Sequence, residues 1–387
     1  MIWSDYISET ETYLLGAAGI ILLYQLWFHL RYMLVKKKLV TGPSGKKNAP
    51  SDATESLPGV SVIVSARNEA ENLRPYLCQL LEQDYPEYEV IVVNDGSEDD
   101  TQAVLDEYAA RYPRLKTSFV PREAILLSSK KMALTLGVKA ARYEHLLFTD
   151  ADCCPGSPHW IREMMRGYLQ PGQTEVVLGA GAYFKEKGVL NRLIQYETLF
   201  TSLQYTGMAA AHRPYMGVGR NLSYKKSLFL RHNGFAHMTS IQAGDDDLLV
   251  NHLANGRNTA VVRTPESLTW SVPKQSWETW YHQRKRHLSV SPLYRTGSKV
   301  MLCTEPLSRA VFYGLLAALL CTGNPYLQAV AAGLYVLRLI VQTSVFSTSA
   351  RRTGMPSIGL DIAVWDIVYP LITLWILMLP REKNTYW

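Results

Sequence analysis

Asp150 and Asp152 flank Ala151 directly after the apolar run Leu146-Leu147-Phe148-Thr149. Two carboxylates one residue apart, on a turn leaving a strand, can point into one cleft and hold a hard divalent cation together with phosphate oxygens. A plainer role for Asp150 is to cap a helix after Pro155. A second strand-like run, Val90-Ile91-Val92-Val93-Asn94, ends at Asp95-Gly96-Ser97. Asp95 can accept hydrogen bonds from a nucleobase N–H or a ribose hydroxyl there; alternatively the turn lets Ser97 or Asp99 cap the next helix. Asp245, Asp246 and Asp247 form a third cluster between Gly244 and Leu248. Adjacent carboxylates repel, which raises at least one pKa, and a carboxylate so raised suits general-base work. The same residues suit a helix N-terminus, where acids meet the favourable end of the dipole, and the two roles are compatible. Finally, Trp277 and Trp280 precede Gln283-Arg284-Lys285-Arg286-His287. That segment is either an amphipathic helix on a membrane surface or a face whose Gln283, Arg284 and Arg286 neutralise a diphosphate.

Residues so placed need a scaffold. The run Val60-Ser61-Val62-Ile63-Val64 reads as a strand, and residues 69–83 as a helix with Leu73, Leu77, Leu80 and Leu81 on one face. The pattern continues as strand 88–93, helix 100–112, strand 115–120, helix 129–141 and strand 145–149. Strands alternating with helices of this length predict an α/β domain over residues 60–272, with a Rossmann-like, mostly parallel sheet and flanking helices. Ligands bind such sheets beyond the carboxyl ends of the strands, where Asp95 and the Asp150/Asp152 pair fall.

The composition hides a segregation. A mean hydropathy of −0.06 would fit an ordinary soluble enzyme, and 19% charged residues argue against disorder. Yet no formally charged residue occurs from Thr12 to Leu30, enough to cross a hydrocarbon core of ~30 Å. Asp5, Glu9 and Glu11 precede that stretch, while Arg31 and Lys36-Lys37-Lys38 follow it. Residues 12–35 therefore read as a retained anchor with its N-terminus outside and the following domain cytoplasmic. Residues 41–59, rich in proline and small polar residues, read as a linker, and residues 273–300 as the interfacial amphipathic segment. Three further spans are expected within residues 306–380, at about 307–321, 326–345 and 360–379, the first of them short. Arg338 inside the second must face protein or snorkel. The chain is thus expected to be an integral protein of an inner or plasma membrane. Its net charge of +6 supports no nucleic-acid partner. Its five cysteines contain no CxxC pair, which argues against a zinc site or a disulfide framework.

Taken in order, these sites resemble the family 2 glycosyltransferases, which pair a GT-A fold with membrane helices and include cellulose, hyaluronan and chitin synthase-like enzymes. The resemblance runs from about residue 60 to residue 287. Val62-Ile-Val-Ser-Ala-Arg-Asn-Glu69 is similar to the family's first strand and its PxxNE-type turn, implying that the backbone at Ala66 and the Glu69 side chain line a nucleotide pocket. Asp95 matches the aspartate that contacts the base, and Lys130-Lys-Met-Ala-Leu134 matches a KxxAL element with Lys130 near the nucleotide. Asp150 and Asp152 match the DxD pair, implying Mg²⁺ or Mn²⁺ on the diphosphate of a nucleotide-diphospho-sugar. The third acidic site, usually Thr/Glu-Glu-Asp, reads Gly-Asp-Asp-Asp here. The spacing to Gly256 favours Asp245 as the base, and the apolar face at Leu249 and Leu253 favours Asp246. The QxxRW motif of processive synthases appears as Gln283-Arg284-Lys285-Arg286-His287, so His287 stands where those enzymes carry an acceptor-platform Trp. The resemblance implies inverting, metal-dependent sugar transfer to a hydroxyl of a membrane-associated glycan or lipid, adding one or few sugars. Two alternatives are a nucleotidyltransferase, which would want a Gly-rich basic loop where Ala66-Arg67-Asn68-Glu69 stands, and a non-catalytic nucleotide-sugar-binding scaffold.

Overall fold

The computed structural model describes residues 8–34, 39–40, 57–120, 129–169, 173–239, 241 and 243–379. The expected linker at 41–59 lies outside these except for its last three residues, as do Lys36-Lys37-Lys38. The first half alternates as the pattern predicts: α1 (Glu9–Leu34), β1 (Leu39–Val40), β2 (Val60–Ala66), α2 (Ala70–Leu81), β3 (Tyr88–Asn94), α3 (Thr101–Arg111), β4 (Leu115–Phe119), α4 (Ser129–Ala140) and β5 (His145–Asp150). The second half contains β6 (Cys153–Pro155), α5 (Trp160–Met165), β7 (Val176–Leu178), β8 (Gly181–Tyr183), α6 (Val189–Ala210), β9 (Leu222–Lys225), α7 (Lys226–Arg231), α8 (Asp247–Leu253), β10 (Thr259–Val262) and β11 (Thr269–Ser271). Then come α9 (Trp277–Val290), α10 (Thr296–Cys321), α11 (Pro325–Thr353) and α12 (Ile362–Met378).

The main sheet runs β1-β10-β7-β9-β5-β2-β3-β4, and β6-β11-β8 form a smaller one. Strands β5, β2, β3 and β4 are mutually parallel, whereas β9 is antiparallel to both β5 and β7. Alternate side chains of the central strands enter different cores. Val62, Val64, Val90, Val92 and Leu147 pack on one side, and Ile63, Ile91, Val93, Leu146 and Phe148 on the other. Burial on both faces is why these strands are nearly continuous apolar runs. The chain leaves β2 toward β3 and β4 and then crosses back to β5, so a switch point lies at the carboxyl end of β2. Register places Ser65 beside Asp150 and Ala66 beside Asn94.

Among the described residues, four helices are long and apolar enough to cross a membrane: Glu9–Tyr32, Thr296–Cys321, Pro325–Thr353 and Gly359–Met378. The first C-terminal span is not short, as expected from Pro306, because α10 begins at Thr296 and runs through that proline. Pro306 forfeits one backbone donor, while Glu305, Ser308 and Arg309 around it are buried against neighbours. Residues 273–300 accordingly divide between α9 and the start of α10.

Helix α6, which the pattern did not reveal, joins the two materials. Its Tyr196 and Phe200 stack on Phe346 of α11 at 5.8 and 6.3 Å, in a core shared with Phe28, Tyr32, Ala182, Leu268 and Tyr369. Gly207 lies so close under the Tyr32 ring that a Cβ there would overlap it.

Arg338 faces inward. Its guanidinium pairs with Asp366 at 2.5 Å and donates to Gln25 Oε1 at 3.0 Å. Asp366 also accepts from Gln342 and Tyr313, each at 2.6 Å, and lies 3.3 Å from Arg309, which pairs with Glu305. Two cations and two anions thus close on one another between α1, α10, α11 and α12. Removing one member leaves uncompensated buried charge, at about 3–5 kcal/mol. Asp366→Ala is therefore expected to lower the unfolding midpoint in detergent, and Arg338→Met with Asp366→Leu to recover much of the loss.

Candidate active site

The carboxyl ends of β2, β3 and β5 open on one edge of the sheet. The turns after β2 and β3 are laced together: Asn68, at φ 55°, donates its N–H to Ser97 Oγ at 3.0 Å, and Glu98 N–H donates to Asn68 Oδ1 at 2.8 Å. Glu69 and Ala70 N–H donate to Thr101 Oγ1 and Asp99 Oδ2. Asp95 follows β3, buried, and its N–H donates to Ala66 O at 2.8 Å. Ala66 thus contributes backbone and no exposed side chain. Glu69 lies near Asp150 and Asp152; burial and those charges raise its pKa, and Asn72 donates to it at 2.6 Å.

Lys130, in the first turn of α4, ties two acidic sites together. Its ammonium lies 3.1 Å from Asp150 Oδ1 and 3.1 Å from Asp245 Oδ2. Burial opposes its charge, but Asp150, Asp245 and Asp246 outweigh that and hold it protonated. The same pairing holds Asp245 below the ordinary carboxylate range against the cost of burial. Lys130, Asp150, Gly219, Tyr224, Asp245 and Asp246 share one cleft.

The three adjacent aspartates therefore differ. Asp245 is an ion-pair partner. Asp246 caps α8: its Oδ1 accepts from Asp247 N–H at 2.7 Å and its Oδ2 from Gly219 N–H at 2.6 Å. Burial and the neighbouring Asp245 charge push it up to about 6. Asp247 is turned elsewhere, accepting from Leu248 N–H and from the Tyr294 hydroxyl, each at 2.7 Å. Burial and the Asp246 charge push it up to about 8.

Asp150, Asp152 and Cys153 bring possible metal-ligating atoms within 4.8 Å of one another. The Cys153 thiol lies 3.4 Å from Asp152 Oδ1 and 2.9 Å from Ser271 Oγ, and burial pushes its pKa far up. A neutral thiol is a poor ligand, which leaves the carboxylate oxygens of Asp150 and Asp152. Hard oxygen donors fit Mg²⁺ or Mn²⁺. Burial and the Asp150 charge raise Asp152, the crowding that a cation relieves.

Arg220 was missed in the sequence. It donates to Gly181 O at 3.0 Å, lies 4.3 Å from the Tyr183 ring centroid, and its charge reaches Asp152. The available signal was the glycine spacing at 179, 181, 217 and 219. A Cβ at Gly181 would overlap Arg220, one at Gly179 would sit 2.5 Å from Asn221 Cγ, and one at Gly219 would sit 3.3 Å from Asp246 Oδ2.

Of the α9 residues, Gln283 donates to Tyr183 OH at 3.3 Å, on the ring that Arg220 covers. Arg286, half-buried, lies one turn further along. Arg284 is engaged otherwise: it pairs with Glu197 of α6 at 2.8 Å and donates to Tyr369 OH of α12. This largely buried pair stitches α9 to α6 and α12. Arg284→Gln is expected to lower the unfolding temperature in detergent, because Glu197 is left buried without its cation.

Among solved structures, the chain is similar to a mannosyltransferase from Pyrobaculum calidifontis in complex with GDP-Man and Mn²⁺. The TM-score is 0.55 at 20% identity, over 92% of this chain and 98% of that one. The fold is thus the GT-A-like α/β fold of glycosyltransferases. Residues 61–232 match the model of Glycosyl transferase family 2, so the chain carries a domain of that family. It is 25% identical over 62% of its length to a Bacillus subtilis protein named "Probable glycosyltransferase YdaM". It is 31% identical over 31% of its length to a poly-beta-1,6-N-acetyl-D-glucosamine synthase of Staphylococcus epidermidis. These alignments span 57% and 27% of the two relatives' own lengths.

Proposed function

We propose that the protein is a membrane-embedded inverting glycosyltransferase that moves a sugar from a nucleotide-diphospho-sugar to a hydroxyl of a lipid- or glycan-type acceptor at the membrane. The observation that carries this reading is the Lys130 ammonium between Asp150 and Asp245, which sets the pair suited to a diphosphate beside the aspartates suited to a base. Asp95 and the turn at Glu69 hold the nucleoside. Asp150 and Asp152 would hold Mg²⁺ or Mn²⁺, which when bound would neutralise charge on the diphosphate leaving group. Lys130, Arg220, Gln283 and Arg286 add positive charge or donors on the same side. Asp246 takes the proton of the acceptor hydroxyl, which attacks the sugar's anomeric carbon opposite the departing nucleoside diphosphate. Asp246 suits the base better than Asp245, because a carboxylate pushed up to about 6 accepts a proton more readily than one held down by Lys130.

The basic residues Arg31 and Lys36-Lys37-Lys38 after the first span support a cytoplasmic catalytic domain in an inner or plasma membrane. Of the four membrane-length helices among the described residues, α1, α11 and α12 pack on α6, and α12 on α9, a seating that supports a cleft near the bilayer surface and a membrane-associated acceptor. His287 in place of a Trp supports addition of one or few sugars. The test is nucleoside diphosphate release by the purified protein with a membrane-lipid extract and a panel of UDP- and GDP-sugars. Release from none of them, or release of pyrophosphate from nucleoside triphosphates instead, overturns the reading.

A further inference from the structure

Helix α8 carries the Asp246 carboxylate at its N-cap, yet with seven residues it is too short to hold its place unaided. Leu248, Leu249, Val250 and Leu253 bury it in the core, and its polar grips come from one further face. Asp247, Asn251 and Ala254 lie four and three residues apart, so they share a side of the helix. All three bind the segment that leads into the membrane helix α10. Asp247 accepts from Tyr294 OH at 2.7 Å, Asn251 Oδ1 accepts from Arg295 N–H at 2.8 Å, and Asn251 Nδ2 donates to Ser298 Oγ at 3.3 Å. The Arg295 guanidinium donates to Ala254 O at 3.0 Å, closing the C-terminal end. On the cleft side Asp246 is fixed by Gly219 N–H. The Asp247–Tyr294 contact is buried on both sides, at 7% and 6% exposure. It is also the grip adjacent in sequence to the cap itself.

We propose that Tyr294 is a positioning residue for the transfer step: through Asp247 it holds α8, and with it the Asp246 carboxylate, against the reacting hydroxyl. The proposal rests on Asp246 being the base. It extends the active site's supports to the first residues of a membrane helix, so that base placement depends on how α10 is seated. A shift of about 1 Å in a reacting group costs on the order of 10²-fold in rate, and loss of one of several grips costs less.

The experiment is a double-mutant cycle on the full-length protein in detergent or nanodiscs, using whichever UDP- or GDP-sugar the panel shows to be turned over. Tyr294→Phe is expected to lower kcat about tenfold with donor KM unchanged, and Asp247→Ala by at least as much. The double variant should fall no further than Asp247→Ala alone, because both substitutions break one contact. Calorimetric binding of the product nucleoside diphosphate counts intact sites in each variant and corrects for misfolded protein. Wild-type kcat in Tyr294→Phe, a matching rise in KM, or losses that multiply in the double variant overturns the proposal. Asp246→Asn measured alongside separates the two readings. Its full activity would remove Asp246 as base, whereas its inactivity beside a normal Tyr294→Phe would remove only the positioning role.

Discussion

Asp246→Asn is expected to lower kcat by about 10²–10⁴-fold, the range for losing a general base, while nucleoside diphosphate binding persists. The side-chain amide keeps the shape but has one acceptor oxygen, so it keeps either the Gly219 N–H contact or the Asp247 N–H cap of α8 and not both. A lower unfolding temperature is therefore expected beside the loss of rate, and bound nucleoside diphosphate counts the intact sites. What the amide loses outright is the ability to take a proton. The same assignment fixes a pH dependence. The base works when ionised, and burial together with the Asp245 charge pushes Asp246 up to about 6. Turnover is therefore present above that pH and falls about tenfold per unit as pH drops below it. Asp246→Asn should erase this limb together with most of the rate. Steady-state kinetics between pH 5 and pH 8 decide the matter: a wild-type rate that stays flat down to about pH 5 contradicts the assignment.

The second large effect is expected at the acidic pair at the carboxyl end of β5. Asp152→Asn should cost about 10²-fold or more in transfer, in the range for losing a preorganised group at a site of developing charge. Chelation should abolish wild-type activity, and added Mg²⁺ or Mn²⁺ should restore it. Asp152 is largely buried, crowded by Asp150, and faced by Arg220 from the neighbouring segment. Without a cation that crowding is unfavourable, so metal binding is also expected to raise the thermal unfolding temperature of the wild type and to do so less for Asp152→Asn. Unfolding temperatures independent of Mn²⁺, combined with chelator-resistant transfer, would exclude the metal role. Transfer is read as nucleoside diphosphate release, and unfolding by intrinsic fluorescence in detergent.

Several features were legible because they are local. The short apolar runs of β2, β3 and β5 follow from burial on both faces of a parallel sheet, the apolar face of α2 from side chains recurring along a helix, and their limits fall within a few residues of the elements found. The acidic ends of β3 and β5 were likewise visible, since a parallel strand presents its ligand edge at its own carboxyl end. Helix α6 was not. Beyond its exposed first turn it is largely buried, against the sheets on one side and the membrane-length helices on the other. A helix covered on most of its surface carries little polar stripe to mark its period. Helix α10 was read from the wrong end, because a proline usually stops a helix but here removes only one backbone bond inside a packed bundle.

The sequence by itself determined the kinds of residue available: carboxylates at two strand ends, a run of three aspartates before a short helix, and apolar stretches long enough to span a bilayer. It also required the Arg338 and Asp366 charges to find partners, since a charge in a span is costly. Tertiary structure decided which partners they found, by packing α1, α10, α11 and α12 so that Arg338, Asp366, Arg309 and Glu305 meet. It also divided roles among three identical neighbours. Asp245, Asp246 and Asp247 have the same chemistry in the chain, and only the third dimension gives one a lysine, one a glycine N–H and one a tyrosine. The reason is electrostatic: a carboxylate's proton affinity is set by the charges and donors within a few ångströms, and those come here from residues more than a hundred positions upstream, as with Lys130, or from the threshold of a membrane helix, as with Tyr294.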